Sequence, residues 1–283
     1  MKHGLLYGLL LGAVAGSGFA ADNNIFSYKV GGLEVYTLVE NRGLGRPDVL
    51  IGLDKAALDK YGRGGNYQSE TNTFLIKGPN QIVLVDTGFG TTLFESLKTL
   101  GVSPDSIDAV LITHLHGDHF SGLQKDGKAL FPRAKVYLAR QERDYWTRTN
   151  VNPGAAAALA PYGSKVETFL PGELGSKPEE LLPGITPIAA FGHTPGHTLF
   201  MVESSGQKLL IWGDLMHAEL IQFPLPGISV TYDTDPAAAA VVRRRVLEYV
   251  VANNIPIAGM HLVYPAVGRV SREESGYKLT RAE

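Results

Sequence analysis

The chain of 283 residues contains no cysteine. Disulfides and thiolate metal sites are therefore excluded, and any metal site must use histidine and carboxylate ligands. Charged residues make up only 19% of the chain, and the formal net charge is −2. A chain without an excess of basic residues is not expected to bind nucleic acid. Histidine is also scarce, with eight in all, so its distribution along the chain is informative.

Hydrophobic residues make up 44% of the chain, enough for a substantial core without disulfides. The N-terminus differs from the rest, because Lys2 precedes the apolar run LLYGLLLGAVAG and the small residues of GFA. This pattern predicts a signal peptide over residues 1–20, followed by a single exported domain over residues 21–283. An uncleaved anchor is the alternative. We expect a periplasmic or secreted protein without a stable membrane anchor.

The remaining chain alternates between apolar runs typical of buried strands and segments with helical spacing. The strand-like runs are Gln81–Gly88, Asp108–Thr113, Ala134–Ala139, Lys208–Asp214 and Ile255–His261. The clearest helix follows Asp235 as N-cap and has Pro236 at its first position. This alternation predicts a layered α/β fold. The alanine-rich segment Thr149–Gly163 is either a short helix, a flap over a site or a surface connection.

Seven histidines lie in four segments where predicted strands end and loops begin. They are His114, His116, His119, His193, His197, His217 and His261. The first segment, THLHGDHFSGL, places three of them beside Asp118, and Asp214 ends a later strand. Imidazole and carboxylate suit zinc, and three or four such groups make a site. Five imidazoles and two carboxylates would fill two metal centres that share one carboxylate.

The motif His-x-His-x-Asp-His, preceded by LVDTG, resembles the metallo-β-lactamase fold superfamily. The resemblance implies an αββα four-layer sandwich with two Zn²⁺ ions per chain at one edge of its sheets; other divalent transition metals are compatible. It implies a first metal site of His114, His116 and His197, a second of Asp118, His119 and His261, and Asp214 bridging the two.

Two of these ligands and two neighbouring residues are expected to have further roles. Asp118 and Asp214 are the catalytic candidates, and Asp118 has a possible second role as proton shuttle. Asp86 of LVDTG is expected to orient the histidine loop, with a plain turn role as the alternative. His193 is predicted to support a ligand or to be structural.

Zinc lowers the pKa of bound water to about 7, so ester-like bonds can be cleaved without a serine or cysteine nucleophile. The fold alone does not decide which bond is cut. The segments FPRAKVYLARQERDYW, IQF and HLVYPAVGRV resemble exported methyl parathion hydrolases. We therefore predict a small-molecule hydrolase of organophosphate triesters, lactones or aryl esters. An acyl-homoserine lactonase or a β-lactamase is the alternative, and a non-hydrolytic metal-binding scaffold comes third. A homodimer is compatible with the sequence.

The same resemblance predicts a substrate pocket. Trp146 is predicted to line it, with core packing as the alternative, and Phe89, Phe120 and Phe223 are expected to add to an apolar wall. His217 stands three residues after the bridging aspartate, where acyl-homoserine lactonases have a tyrosine. This departure weakens the strict lactonase assignment, and His217 is predicted to contact the substrate instead.

Overall fold

The computed structural model describes residues 24–62, 65–274 and 276–283. The predicted signal peptide lies outside the described residues. In the part of the chain that is described, no helix is both long and apolar enough to cross a membrane.

The described strands fall into two large sheets and two short ribbons. In chain order they are β1 (Ile25–Val30), β2 (Leu33–Gly45), β3 (Leu50–Ile51), β4 (Tyr67–Lys77), β5 (Ile82–Val85), β6 (Ala109–Leu111), β7 (Gln124–Lys125), β8 (Lys128–Ala129), β9 (Lys135–Ala139), β10 (Val166–Phe169), β11 (Ile185–Ala189), β12 (Thr198–Ser204), β13 (Gln207–Ile211), β14 (Ser229–Val230), β15 (Ile257–Ala258), β16 (Val267–Glu273) and β17 (Gly276–Arg281).

The first sheet has the strand order β1-β2-β4-β5-β6-β9-β10, and the second has the order β11-β12-β13-β15-β16-β17. The pairs β5–β6, β6–β9, β9–β10 and β13–β15 are parallel, whereas the other pairs in the two sheets are antiparallel. The ribbons are β3 with β14 and β7 with β8.

Short helices and one long helix connect the strands. The α-helices are α1 (Lys55–Tyr61), α2 (Leu93–Thr99), α3 (Gly117–Phe120), α4 (Arg140–Asp144), α5 (Pro153–Leu159), α6 (Glu219–Gln222) and α7 (Pro236–Ala252). A π-helical turn, Tyr145–Thr149, follows α4 directly. Single 3-10 turns lie at Pro47–Val49, Pro104–Ser106, Ser121–Leu123 and Ala160–Lys165. As predicted, Asp235 caps α7, because its side chain accepts a hydrogen bond from the backbone N–H of Ala238 at 3.0 Å.

The first sheet is buried on both faces, because its strands alternate between two cores. Val83 and Val85 join the core that also contains apolar residues of the second sheet. Leu84, between them, points to the opposite core, where Leu97 of α2 and Ala158 of α5 pack. Helix α7 covers the second sheet and contacts β16. The layers are helix, sheet, sheet and helix, so the predicted αββα sandwich is confirmed.

The predicted strands end at a common edge of this sandwich. Strand β6 is followed by the first histidine loop, β13 by Asp214 and β15 by His261. His193 and His197 lie just before β12 begins at Thr198. Groups from both sheets are thereby brought together at one place. The alanine-rich segment forms α5, which packs against the first sheet.

Candidate metal centre

The loop after β6 carries the first group of side chains. His114 is fully buried, and its Nδ1 donates to the hydroxyl of Thr113 at 3.1 Å, since that hydroxyl itself donates to Asp86 at 2.7 Å. The Nε2 atom of His114 is therefore directed away from these partners. Gly117 is the first residue of α3, so Asp118 and His119 lie within this single helical turn.

Asp86 holds this loop in place from behind. One carboxylate oxygen accepts from the backbone N–H of Thr113 at 2.7 Å. The other accepts from Nδ1–H of His119, also at 2.7 Å. Asp86 has a φ of +58°, a conformation that aspartate adopts more readily than most residues and that is enriched at functional sites. The contact fixes the ring of His119 so that its Nε2 faces the cluster.

His193 completes a group with the first two histidines. Its Nδ1–H donates to Asp233 at 2.7 Å. Its Nε2 lies 3.1 Å from Nε2 of His114 and 3.0 Å from Nδ1 of His116. Burial lowers the pKa of His193, but its hydrogen bonds to Asp214 and Asp233 outweigh burial and raise the pKa to about 9. These surroundings favour a positive charge at this point, which a metal ion supplies as well as a proton does.

His197 does not point into the cluster, which corrects the ligand assignment made from the sequence. Its Nδ1–H donates to the carbonyl of Ala190 at 3.1 Å, and its Nε2 accepts from the backbone N–H of Asp214 at 2.9 Å. Both ring nitrogens are thus engaged by the backbone. Gly213 has a φ of +57°, and a Cβ there would lie 2.4 Å from Nε2 of His197. Burial lowers the pKa of His197 to about 3, in keeping with a neutral ring that accepts a hydrogen bond.

Asp214 lies between the two groups of histidines. Its Oδ2 is 3.3 Å from Nε2 of His193 and 3.5 Å from Nε2 of His114. Its Oδ1 is 3.2 Å from Nε2 of His119, and Oδ2 is 3.1 Å from Nε2 of His261. Burial raises the pKa of Asp214, but His119, His261 and His114 outweigh burial and hold the pKa well below its usual range. The carboxylate is therefore ionised and reaches both groups.

The second group is made by Asp118, His119 and His261. Nδ1–H of His261 donates to the carbonyl of Glu70 at 2.7 Å. Its Nε2 lies 3.4 Å from the Oδ2 of Asp118, and that oxygen is 3.6 Å from Nε2 of His119. Asp118 is the more exposed of the two cluster carboxylates, with 24% of its side chain accessible against 3% for Asp214.

The donor atoms form sets of the size and chemistry that a divalent metal requires. In each set the donors lie within 4.8 Å of one another, and the sets are His114, His116, His193 and Asp214; Asp118, His119 and His261; and Asp214, His217 and His261. Nε2 of His119 and Oδ1 of Asp214 are buried without a hydrogen-bond partner. Histidines 114, 119, 193 and 261 each place one nitrogen against an outer acceptor and turn the other inward, as metal-binding histidines do. The residues present therefore fit divalent metal ions.

A cavity of about 430 Å³ opens over the cluster. Two of the residues predicted to bind substrate line it, Phe89 and His217. Tyr232 lines it as well and places its ring 5.0 Å from that of His217. The polar residues Asn41, Ser69 and Thr71 also line the cavity. His217 also lies 3.1 Å from Oδ2 of Asp214 through its Nε2, so it contacts both the cavity and the cluster.

Three predicted pocket residues lie elsewhere, which corrects the apolar wall. Phe120 is buried in the core beneath α5, and a Cβ on Gly154 would touch its ring at 3.6 Å. Phe223 is buried against Trp212, with ring centroids 6.0 Å apart. The ring of Trp146 packs edge-on against that of His116, with their centroids 5.6 Å apart, but Trp146 does not line the cavity. The helical turns that carry these rings direct them toward apolar cores.

The model of the metallo-beta-lactamase superfamily matches residues 67–253, more than half of the chain. The chain belongs to the metallo-beta-lactamase superfamily. A solved structure described as hydrolase AbOPH in the beta lactamase superfamily is 26% identical, with a TM-score of 0.82, over 92% of this chain and 98% of that one.

Two further comparisons, one with a solved structure and one with a protein sequence, give weaker matches. AidC, described as a dizinc quorum-quenching lactonase in complex with a product, has a TM-score of 0.80 over 92% of this chain and 98% of that one. At 23% identity this likeness shows the fold alone. The anti-Pycsar protein Apyc1 of Paenibacillus sp. (strain J14) is 40% identical over 70 residues, which are 24% of this chain. The match spans only 28% of the length of Apyc1.

Three residues that the structure places at this site carry no signal in the sequence. Asp233 orients His193, but two residues before a helix N-cap an aspartate is typical of a turn. Tyr232 precedes it with no pattern that marks a cavity wall. Glu142 is buried next to both histidine loops and lies in a charged stretch, RQERD, that is typical of an exposed helix. A glutamate within such a stretch gives no signal of its burial.

Proposed function

We propose that the chain is a hydrolase that binds two divalent metal ions and cleaves ester-like bonds of small molecules. Zinc is the preferred candidate for both ions. The observation that carries the proposal is the position of Asp214, whose carboxylate reaches both groups of histidines: Oδ2 lies near His193 and His261, and Oδ1 lies near His119. One group would hold the first ion through His114, His116 and His193. The other would hold the second through Asp118, His119 and His261.

The residues around these ions have separate roles. Bound zinc would supply Lewis acidity and a water of lowered pKa, so no serine or cysteine nucleophile is required. Asp214 lies at the centre of the cluster, where its buried carboxylate balances the positive charge of the site. Asp118 lines the cavity, so its carboxylate is placed to hold a proton from water and to pass it to the leaving group. Asp86 and Asp233 keep their histidines oriented throughout.

The cavity favours a small substrate with both polar and apolar parts. A volume of about 430 Å³ is in the range of small-molecule sites. Phe89 and Tyr232 offer apolar surface, and Ser69, Thr71 and Asn41 offer hydrogen bonds. Because three of the expected aromatic residues lie outside the cavity, we place lactones and carboxylic esters first and aryl phosphotriesters second. The sequence segments similar to methyl parathion hydrolases support the second class.

Metal content and a small substrate panel test this function. The protein is purified without chelator, its metals are quantified, and it is offered a p-nitrophenyl ester, a lactone, methyl paraoxon and nitrocefin. We expect about two zinc equivalents per chain and turnover of the lactone and the ester. A chelator should abolish turnover and added zinc should restore it. Two bound metals with no turnover of any substrate would favour a metal-binding scaffold, and turnover of nitrocefin alone would favour a β-lactamase.

We further propose that residues 1–20 are a signal peptide and that the mature protein is exported. The support is the short apolar run that follows Lys2 and ends in small residues. Cells that produce the protein are fractionated, and the protein should be found outside the cytoplasm. N-terminal sequencing of this protein should begin at Ala21. An intact Met1 in the membrane fraction would favour the uncleaved anchor.

A further inference from the structure

Glu142 is a buried carboxylate to which the proposed chemistry assigns no role. It lies in α4, and its side chain is fully buried. One oxygen accepts from the backbone N–H of Leu115 at 2.8 Å and from the indole N–H of Trp146 at 2.6 Å. The other accepts from the hydroxyl of Thr194 at 2.7 Å and from the backbone N–H of Gly196 at 2.9 Å.

These four donors come from the two loops that carry the histidines of the first metal group, and from the turn beside them. Leu115 lies between His114 and His116, and Thr194 follows His193 directly. The two loops are far apart in sequence, and a single carboxylate joins them. The indole of Trp146, held by the same oxygen as Leu115, packs against the ring of His116.

The contact between α4 and the second loop leaves no space for a side chain at Gly196. A Cβ on Gly196 would lie 2.3 Å from the backbone nitrogen of Glu142. The loop therefore packs directly on the helix, and the carboxylate sets its position. An ionised carboxylate only accepts hydrogen bonds, and all four of its partners can donate, so the charged form of Glu142 satisfies every one of them.

We propose that Glu142 is a positioning residue that fixes the distance between His116 and His193 and thereby sets the metal affinity of the first site. The nitrogens of these two rings are 3.0 Å apart, and each belongs to a different loop held by Glu142. The inference rests on the metal centre proposed above, but it does not depend on which substrate is cleaved.

Glu142→Gln is the informative substitution, because glutamine has the same shape but offers a donor at one end. That end must face either Leu115 and Trp146 or Thr194 and Gly196, so one loop loses its acceptor. We expect zinc affinity, measured by competition with a chromophoric chelator, to fall about 10- to 100-fold, as is typical when a supporting partner of a ligand is lost. Activity should recover when zinc is added in excess.

Trp146→Phe provides a second, milder variant. It keeps an aromatic ring near His116 but removes the indole N–H, so zinc affinity should fall in the same direction and by less. Glu40→Gln is the matched control. Glu40 is also buried and accepts from the backbone N–H groups of Thr91 and Thr92, at 2.9 and 2.8 Å, where α2 begins. This control should lower the melting temperature without changing zinc affinity.

A folded Glu142→Gln protein with the zinc affinity of the wild type would overturn the inference. If that variant does not fold, Trp146→Phe decides by the same measurement, and an unchanged affinity there counts against the inference. Equal losses of zinc affinity in Glu142→Gln and Glu40→Gln would likewise show that Glu142 contributes only to the stability of the fold. If zinc affinity falls as expected while no substrate is turned over by the wild type, the proposed hydrolase function fails and the positioning role stands.

Discussion

The choice between His193 and His197 as a metal ligand can be decided by two single substitutions. His193→Ala removes a nitrogen that faces His114 and His116 at 3.1 and 3.0 Å. We expect the first metal site to be lost, so that zinc content falls from about two equivalents to about one. The fall in affinity should exceed the 10- to 100-fold that is typical for losing a residue that merely supports a ligand.

His197→Ala should act on stability instead. The imidazole is 1% exposed, and it accepts the backbone N–H of Asp214 at 2.9 Å. An unsatisfied buried donor costs about 1–3 kcal/mol, and the cavity left by the ring brings the loss in free energy of unfolding to about 2–4 kcal/mol. For a domain of this size that corresponds to a melting temperature lower by about 5–15 °C. Two zinc ions should still bind.

The two variants and the wild type are compared by metal analysis after gel filtration, by chelator competition and by thermal melting with and without added zinc. The geometric assignment would be refuted if His197→Ala retained one zinc ion while His193→Ala retained two. In that case the ligand set expected from the sequence would be correct, and the orientation of the loop before β12 would have to change on metal binding.

Three further expectations follow from the same contacts. Asp214→Asn should abolish turnover while circular dichroism stays native, and near-normal turnover with two bound metals would rule out a shared carboxylate. Phe89→Ala should raise KM for esters with an apolar group by about 5- to 30-fold, corresponding to about 1–2 kcal/mol of lost burial, with zinc content unchanged; an unaltered KM would remove this ring from the substrate site. Arg243→Met should lower the free energy of unfolding in urea by about 2–4 kcal/mol, because the carbonyls of Leu215 and Ile228 lose buried donors at 2.6 Å; an unchanged midpoint would contradict this.

The sequence was informative where the chemistry is local. The strands β5, β6, β9 and β13 each end in apolar, buried residues, so their composition alone marks them. The motif around His114 to His119 places its side chains on one short loop, and their proximity needs no knowledge of the fold.

The sequence was uninformative where the fold decides between equivalent residues. In GHTPGHT two histidines have nearly the same neighbours, and nothing local shows which ring faces Asp214. The decision comes from Gly213, whose backbone approaches the ring of His197, and from Asp233, which turns His193. The aromatic residues failed for a related reason. Phe120 and Phe223 lie close in sequence to ligands, but their helical turns face the cores.

The donors of the cluster come from both sheets, with one group after β6 and the others beside β12, β13 and β15. A cation held there would bind only when both halves of the sandwich are folded and aligned, so metal binding and folding are linked equilibria. Free metal at 100 times its dissociation constant would add about 2.7 kcal/mol to the stability of the native state for each site. The linkage is reciprocal, but a substitution far from the histidines weakens the measured metal affinity only when it unfolds an appreciable fraction of the metal-free protein. The lifetime of the folded chain is therefore expected to follow the metal supply of its compartment.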